Sequence, residues 1–350
     1  MTFKSWPKVP VRAGLPQAQR GAVMIAALIV ASLVVALAVG LAVSHERSLL
    51  RAEARFHGSQ AKEYLLGAEQ LALFALAEDY KDDKENGEFT DTLDEAWAQE
   101  LTFPLDEGFM QGQLTDAQSK FDVNRLAVTV NQQNKGPTSF DRFTEDQRRF
   151  LRLLQALDDE NPMSLTDAIE LLEAIVDWID ADDTNFGFGG AESLYYQRYE
   201  PPIKPPNGPL VSITELRLVK GMTPEIFDAL APFITALPEG GGLNVNTANV
   251  MLLRTINLPA DLTPLALADA EEIELQRGGL GYQDIAEFSA SLPPALTSRG
   301  DLSTDGLTVD SGYFVLSTQV EVGRQRRSLL SLLHREDDNT EVVRHSDFVL

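Results

Sequence analysis

Residues 19–43 read Gln-Arg-Gly followed by AVMIAALIVASLVVALAVGLAV, with no charged side chain from Ala22 to Val43. At ~1.5 Å per residue, a helix of that length crosses a hydrocarbon layer of about 30 Å. Lys4, Lys8, Arg12 and Arg20 precede it with no acid among them, so the positive-inside bias leaves the N-terminus in the cytoplasm and the rest of the chain across the membrane. A cleaved secretory signal has a shorter apolar region and a small-x-small exit site. Ala36-Leu37-Ala38 lies inside the run, whereas Ala42-Val43-Ser44 is better placed. An uncleaved signal anchor is a second reading. A third starts from the junction Arg20-Gly21-Ala22.

The chain has 350 residues and a formal charge of -24. The basic leader contributes four positive charges to that sum, so the chain beyond Gly21 is more acidic still. Such acidity repels nucleic-acid phosphates and suits a solvated extracytoplasmic domain or a divalent-cation site. There is no cysteine, hence no disulfide framework and no thiol chemistry. His45, His57, His334 and His345 lie towards the two ends and show no metal-ligand spacing.

Past the apolar run, Leu49, Ala52, Phe56, Ala61, Tyr64, Leu65, Ala68, Leu71 and Ala75 recur at helical spacing with no proline between them. One long helix over 22–78 is expected, apolar first and amphipathic afterwards, then a polar turn over 81–88. Phe109 to Leu114 and Ser119 to Val123 read as two strands around Thr115-Asp116. Residues 126–292 read as helices. One covers 145–157. The next starts at Ser164, with Asp167 in a capping box and Leu165, Ile169, Leu172, Val176 and Ile179 as its buried face. Near the end, 313–322 and 326–334 form a hairpin around Gly323-Arg324-Gln325, and the residues from Asp337 onward are polar and loose.

The second of those helices runs into DWIDADDTNFGFGGAE, residues 177–192. Asp180, Asp182, Asp183, Asn185 and Glu192 offer hard oxygen ligands within one turn-rich segment, the chemistry that Ca²⁺ prefers. Carboxylates beside the negative end of a helix are unfavourable without a cation. The spacing is not that of an EF-hand: counted from Asp180, Asn185 stands where that loop has glycine, and Glu192 falls one position late.

Residues 208–226 carry a helix-hairpin-helix pattern. Ser212 and Glu215 form a capping box, Gly221 ends the first helix, and Thr223 caps the second with Pro224 in its first turn. Such hairpins can bind DNA backbone. The turn Val219-Lys220-Gly221-Met222 lacks the second glycine usual in those versions, and its surroundings are acidic. Residues 240–256 repeat the device, with Asn246 as the expected cap, and 284–292 form another short helix.

Arg20-Gly21-Ala22 resembles the prepilin junction of the type IV pilin-like superfamily, in which a peptidase cuts after the glycine and the apolar helix stays. Most such proteins carry glutamate at the fifth mature position. Here Ala26 stands there, and a subunit with no neighbour above it needs no buried carboxylate. With GQLTDAQSKFDVNRL, DWIDADD followed by GAE and YY, GPLVSITELRLVKGMTP and LNVNTAN in this order, nearly the whole chain resembles the general secretion pathway protein K family, the large minor pseudopilins of type II secretion.

The resemblance implies an α+β, pilin-like fold: a long N-terminal helix packed on an antiparallel sheet, with a large all-α domain inserted into the sheet. The implied divisions are a removed leader (1–21), a transmembrane helix (22–43), its continuation (44–80), a β region (81–125 and 304–336), the inserted domain (126–303) and a polar tail (337–350). It implies cleavage between Gly21 and Ala22, methylation of the new N-terminus, and a single pass in the bacterial inner membrane with a periplasmic C-terminal domain. The implied place is the pseudopilus tip, beside the I- and J-type minor pseudopilins and the inner-membrane secretion machinery, with the insertion blocking further subunits. It also implies one or two Ca²⁺ ions at Asp180, Asp182, Asp183 and Glu192, no catalysis and no nucleic-acid partner. Two other readings remain open from the residues alone: an anchored helix-hairpin-helix DNA-binding protein, or an anchored hydrolase using carboxylates such as Asp180 and Glu192 for acid-base work.

Overall fold

In the computed structural model, residues 17–130, 135–300 and 302–346 are described; most of the leader, residues 1–16, and the last part of the tail, 347–350, lie outside them. The chain divides into two compact units, Met1–Ser59 and Gln60–Leu350.

Helix α1 runs Gln17–Asn86. Among the described residues it is the one helix long and apolar enough to cross a membrane. In the first unit its apolar side chains, such as Ile25, Leu28 and Leu33, are exposed within the chain, as a lipid- or filament-facing segment requires. The helix continues through the stretch expected to be a polar turn. Nothing between Lys81 and Asn86 breaks a helix, and the first breaker is Gly87, whose φ of 75° lets its N–H return to the Asp83 carbonyl at 2.7 Å.

In the second unit the strands and helices come in this order: β1 (Leu101–Leu105), β2 (Gly108–Asp116), β3 (Phe121–Asp122), α2 (Glu145–Ala156), α3 (Leu165–Ile179), α4 (Ser193–Tyr196), α5 (Pro224–Leu230), β4 (Ile234–Thr235), β5 (Leu243–Asn244), α6 (Val250–Leu253), α7 (Leu267–Arg277), α8 (Ile285–Ser291), α9 (Pro294–Thr297), β6 (Leu307–Thr308), β7 (Tyr313–Val322), β8 (Gln325–Glu336) and β9 (Asn339–Ser346). The main sheet has the order β1-β2-β7-β8-β9 and is antiparallel throughout. Among the described residues, all the α-helices after α1 lie between β2 and β7, which are neighbours in that sheet, so the helical domain is an insertion between two paired strands.

One face of the sheet takes the second half of α1. Ala61, Leu65, Ala68, Ala72 and Leu76 are buried there, in contact with Met110, Leu114, Leu316, Val320 and Leu333. Alanines on that stripe let the helix backbone approach the strands closely, and the interior has no spare volume for larger groups. The buried Glu69 sits in the same seam and accepts a hydrogen bond from the Ser331 hydroxyl, and its Oε1 lies 2.6 Å from His345 Nε2.

Several local expectations are corrected. Residues 119–123 do not form a hairpin partner for 109–114. Instead β2 pairs with β1, and Phe121–Asp122 makes a two-residue parallel bridge to Ile234–Thr235. The missed β1 contains Pro104, which an edge strand tolerates. Residues 339–346, expected to be loose, form β9. Its polar, charged alternation is that of an edge strand, and a register shift at Leu332/Leu333 bends the pairing. At α3, the Ser164 hydroxyl accepts from the Asp167 N–H and donates to Asp167 Oδ2 at 2.7 Å; the shorter side chain does not complete the reciprocal box. The expected second helical hairpin is β5 followed by the short α6, capped by Asn249, while Asn246 is buried and bonded to Tyr282 and Val309.

Candidate cation-binding loop

Helix α3 ends with two carboxylates one turn apart, Asp177 and Asp180, and the chain leaves it extended at Asp180. The loop folds back over the helix that launched it. Asp177 Oδ1 accepts the Phe186 N–H at 2.7 Å, and Glu173 Oε2 accepts the Gly189 N–H at 2.5 Å. Glu173 is held in turn by Arg142. The approach is close enough to demand glycine. A Cβ on Gly189 would lie 2.5 Å from Glu170 Cα, and one on Gly190 would lie 2.2 Å from Asp177 Oδ2. Asp182 accepts the Thr184 N–H at 2.8 Å, and Asn207 donates to the Asp182 carbonyl at 2.7 Å.

This path brings carboxylate oxygens of Asp180, Asp182 and Glu192 within 4.8 Å of one another. Asp183, the fourth expected ligand, is outside that group; its Oδ1 faces the Ser193 N–H at 3.4 Å, at the start of α4. Asp177 is a neighbour that the sequence pattern alone did not single out. Its signal was its spacing, one turn before Asp180 on the same helix face.

The loop crowds carboxylates together in a partly buried setting. Asp177 and Glu192 are buried, and Asp177 Oδ2, Asp180 Oδ1 and both carboxylate oxygens of Glu192 are buried without a hydrogen-bond partner among the described residues. Burial, then the charges of Asp177, Asp180, Asp183 and Asp182, pushes the Glu192 carboxyl up to about 8. Burial first, with neighbouring carboxylates adding, raises Asp177 and Asp180 to about 6. Orphaned hard oxygens on mutually repelling acids suit an ion that takes 6–8 oxygen ligands, as Ca²⁺ does. The residues present fit that ion.

Gly21 and Ala22, the expected processing pair, lie within α1 and are exposed. The helix-hairpin-helix forms as a 3-10 turn over Ile213–Leu218, capped by the Ser212–Glu215 box, then Gly221 at φ 84° and α5 capped by Thr223.

The family model of type II secretion system (T2SS) protein K matches residues 119–239. Type II secretion system protein K of Pseudomonas aeruginosa strain PAO1 is 32% identical over 325 residues, covering 92% of this chain and 90% of that one. Its counterpart in Aeromonas hydrophila is 31% identical over 288 residues, 82% of this chain and 84% of that one. A chain in the crystal structure of the GspK-GspI-GspJ complex from the enterotoxigenic Escherichia coli type 2 secretion system has the same fold, with a TM-score of 0.68 and 26% identity over 85% of this chain and 98% of that one.

Proposed function

This chain belongs to the type II secretion system protein K family, the minor pseudopilins of that pathway, and from that premise we propose that it forms the tip of the pseudopilus. The observation that carries the reading is the insertion. Some 200 residues, 117–312, leave and rejoin between adjacent strands β2 and β7, a bulk that stops a further subunit from stacking above. Ala26, in place of the glutamate that a neighbour's amine would pair with, agrees with a subunit that has no such neighbour. The partners are the I- and J-type minor pseudopilins, on the analogy of the complex named above. Prepilin peptidase cuts between Gly21 and Ala22, the new amine is methylated, and the helix rests in the inner membrane, N-terminus inward, until assembly. The subunit supports export without catalysis of its own. Co-purification of the I and J subunits with the tagged chain, and loss of exoprotein export on its deletion, test this reading; export that continues in a deletion strain with no paralogue contradicts it.

At the acidic loop we propose one or two Ca²⁺ ions. Asp180, Asp182 and Glu192 would hold the first, with Asp183 and Asp177 at its margin. A bound cation would supply positive charge to offset the clustered carboxylates of Asp180, Asp182 and Glu192. The buried, unpartnered oxygens of Glu192 support this reading most strongly.

A further inference from the structure

We propose that Lys220, in the turn of the helix-hairpin-helix, is a positioning residue that fixes the acidic loop on both sides of Glu192. The functional sense of this inference rests on the cation reading; its structural content does not.

Glu192 cannot position itself. Both its carboxylate oxygens are buried without a hydrogen-bond partner among the described residues, so the backbone on either side must place it. Lys220 Nζ donates to the Gly189 carbonyl at 2.7 Å and reaches the Gly190 carbonyl at 3.5 Å, just before Glu192. The Lys220 backbone N–H donates to the Tyr196 hydroxyl at 3.1 Å, and its ammonium stands 5.5 Å from the Tyr195 ring centroid, just after Glu192. One residue thus holds both flanks. Tyr196 is itself wedged edge-on against Trp178 of α3, with centroids 5.0 Å apart.

The hairpin supplies a rigid base. Gly221 turns the chain at φ 84°, and a Cβ there would touch Leu171 of α3 at 3.7 Å. The turn is therefore seated on the helix that carries Asp177. An ammonium bonded to two carbonyls and set over an aromatic ring is held as a structural cation. It points into the chain, so the turn that resembles a DNA-binding device serves an internal purpose. The competing account makes Lys220 only a countercharge for the acids. The two differ in sign: removing a mere countercharge strengthens cation uptake, whereas removing a positioning group weakens it.

The test uses the full chain in detergent micelles with Lys220→Met, which keeps the aliphatic stem, Lys220→Gln in case that variant fails to fold, and Lys220→Arg as the conservative replacement. Amide hydrogen exchange is followed with chelator present, and CaCl₂ is titrated by calorimetry. Positioning predicts exchange over 189–196 at least ~10-fold faster in Lys220→Met with α2 unchanged. It also predicts calcium affinity lower by ~10-fold or more, partly restored by Lys220→Arg. Unchanged exchange over 189–196, or tighter calcium binding, overturns the proposal. A wild-type chain that takes up no calcium contradicts the cation reading, and the exchange comparison in chelator then decides the role of Lys220 by itself.

Discussion

The Ser311 hydroxyl donates to Asp116 Oδ2 at 2.7 Å, joining the residue where the helical domain leaves the sheet to the segment where it returns. Asp116 ends β2 and Ser311 precedes β7, and the same carboxylate accepts from Asn244, from Thr247 and from the Gln118 N–H. A single buried group thus gathers both crossing points and the inserted LNVNTAN segment.

Asp116→Ala strands those neutral donors, and a buried donor left without its partner costs about 1–3 kcal/mol. Ser311→Ala loses two hydrogen bonds, the one donated to Asp116 and the one its hydroxyl accepts from Asn244 at 3.0 Å, and costs about 1–3 kcal/mol. The double variant falls short of the sum because both changes act on one network. Urea unfolding in micelles checks all three values.

The acidic loop predicts stabilisation by calcium. At a hundredfold excess over its dissociation constant, a ligand adds about 2.7 kcal/mol to a protein it binds only when folded. Melting in CaCl₂ should exceed melting in chelator for the wild type. Glu192→Gln and Asp180→Asn should abolish the difference while melting normally in chelator, since each amide matches the uncharged carboxyl in size and adds no charge to the cluster.

The same carboxylates set a pH dependence. Their folded-state pKa values, about 6 for Asp177 and Asp180 and about 8 for Glu192, lie above the ordinary carboxylate range. The folded protein therefore binds more protons than the unfolded chain, and stability falls as pH rises. In chelator, the contribution is complete below about pH 4 and is lost as pH rises through 6 and then 8. Calcium opposes that loss, so the gap between calcium and chelator melts should widen from pH 5 to pH 8. A gap that narrows over that range is inconsistent with this site.

The α1 seam predicts intolerance of bulk. Ala61 is fully buried against the sheet, and overpacking such a site costs about 1–3 kcal/mol. Ala61→Leu should lower the melting temperature, whereas Gly67→Ala, where an added Cβ meets nothing within 4 Å, should not.

Much of this architecture was legible in the sequence because each signal was local. The uncharged run from Ala22 to Val43, the alternation in 313–322 and the Ser212 and Thr223 caps need no distant partner to be read. The misses depended on one. Asn246 looks like a cap until Tyr282 and Val309 claim its amide. Residues 339–346 look like a tail until β8 offers an edge. At the loop, the acids Asp180, Asp182 and Glu192 stood out by composition. Asp177 carried a local signal, one turn before Asp180, whereas Lys220 arrives from a separate hairpin and is brought there only by tertiary folding.

The absence of cysteine makes the central claim directly measurable. Ala286 is exposed on α8 of the inserted domain, so Ala286→Cys gives one reactive thiol per chain, to be tagged with maleimide-gold on pseudopili sheared from secreting cells. Electron microscopy should find gold at one end of each filament and none along its shaft. Gold distributed along the shaft would contradict a tip subunit whose insertion ends the stack.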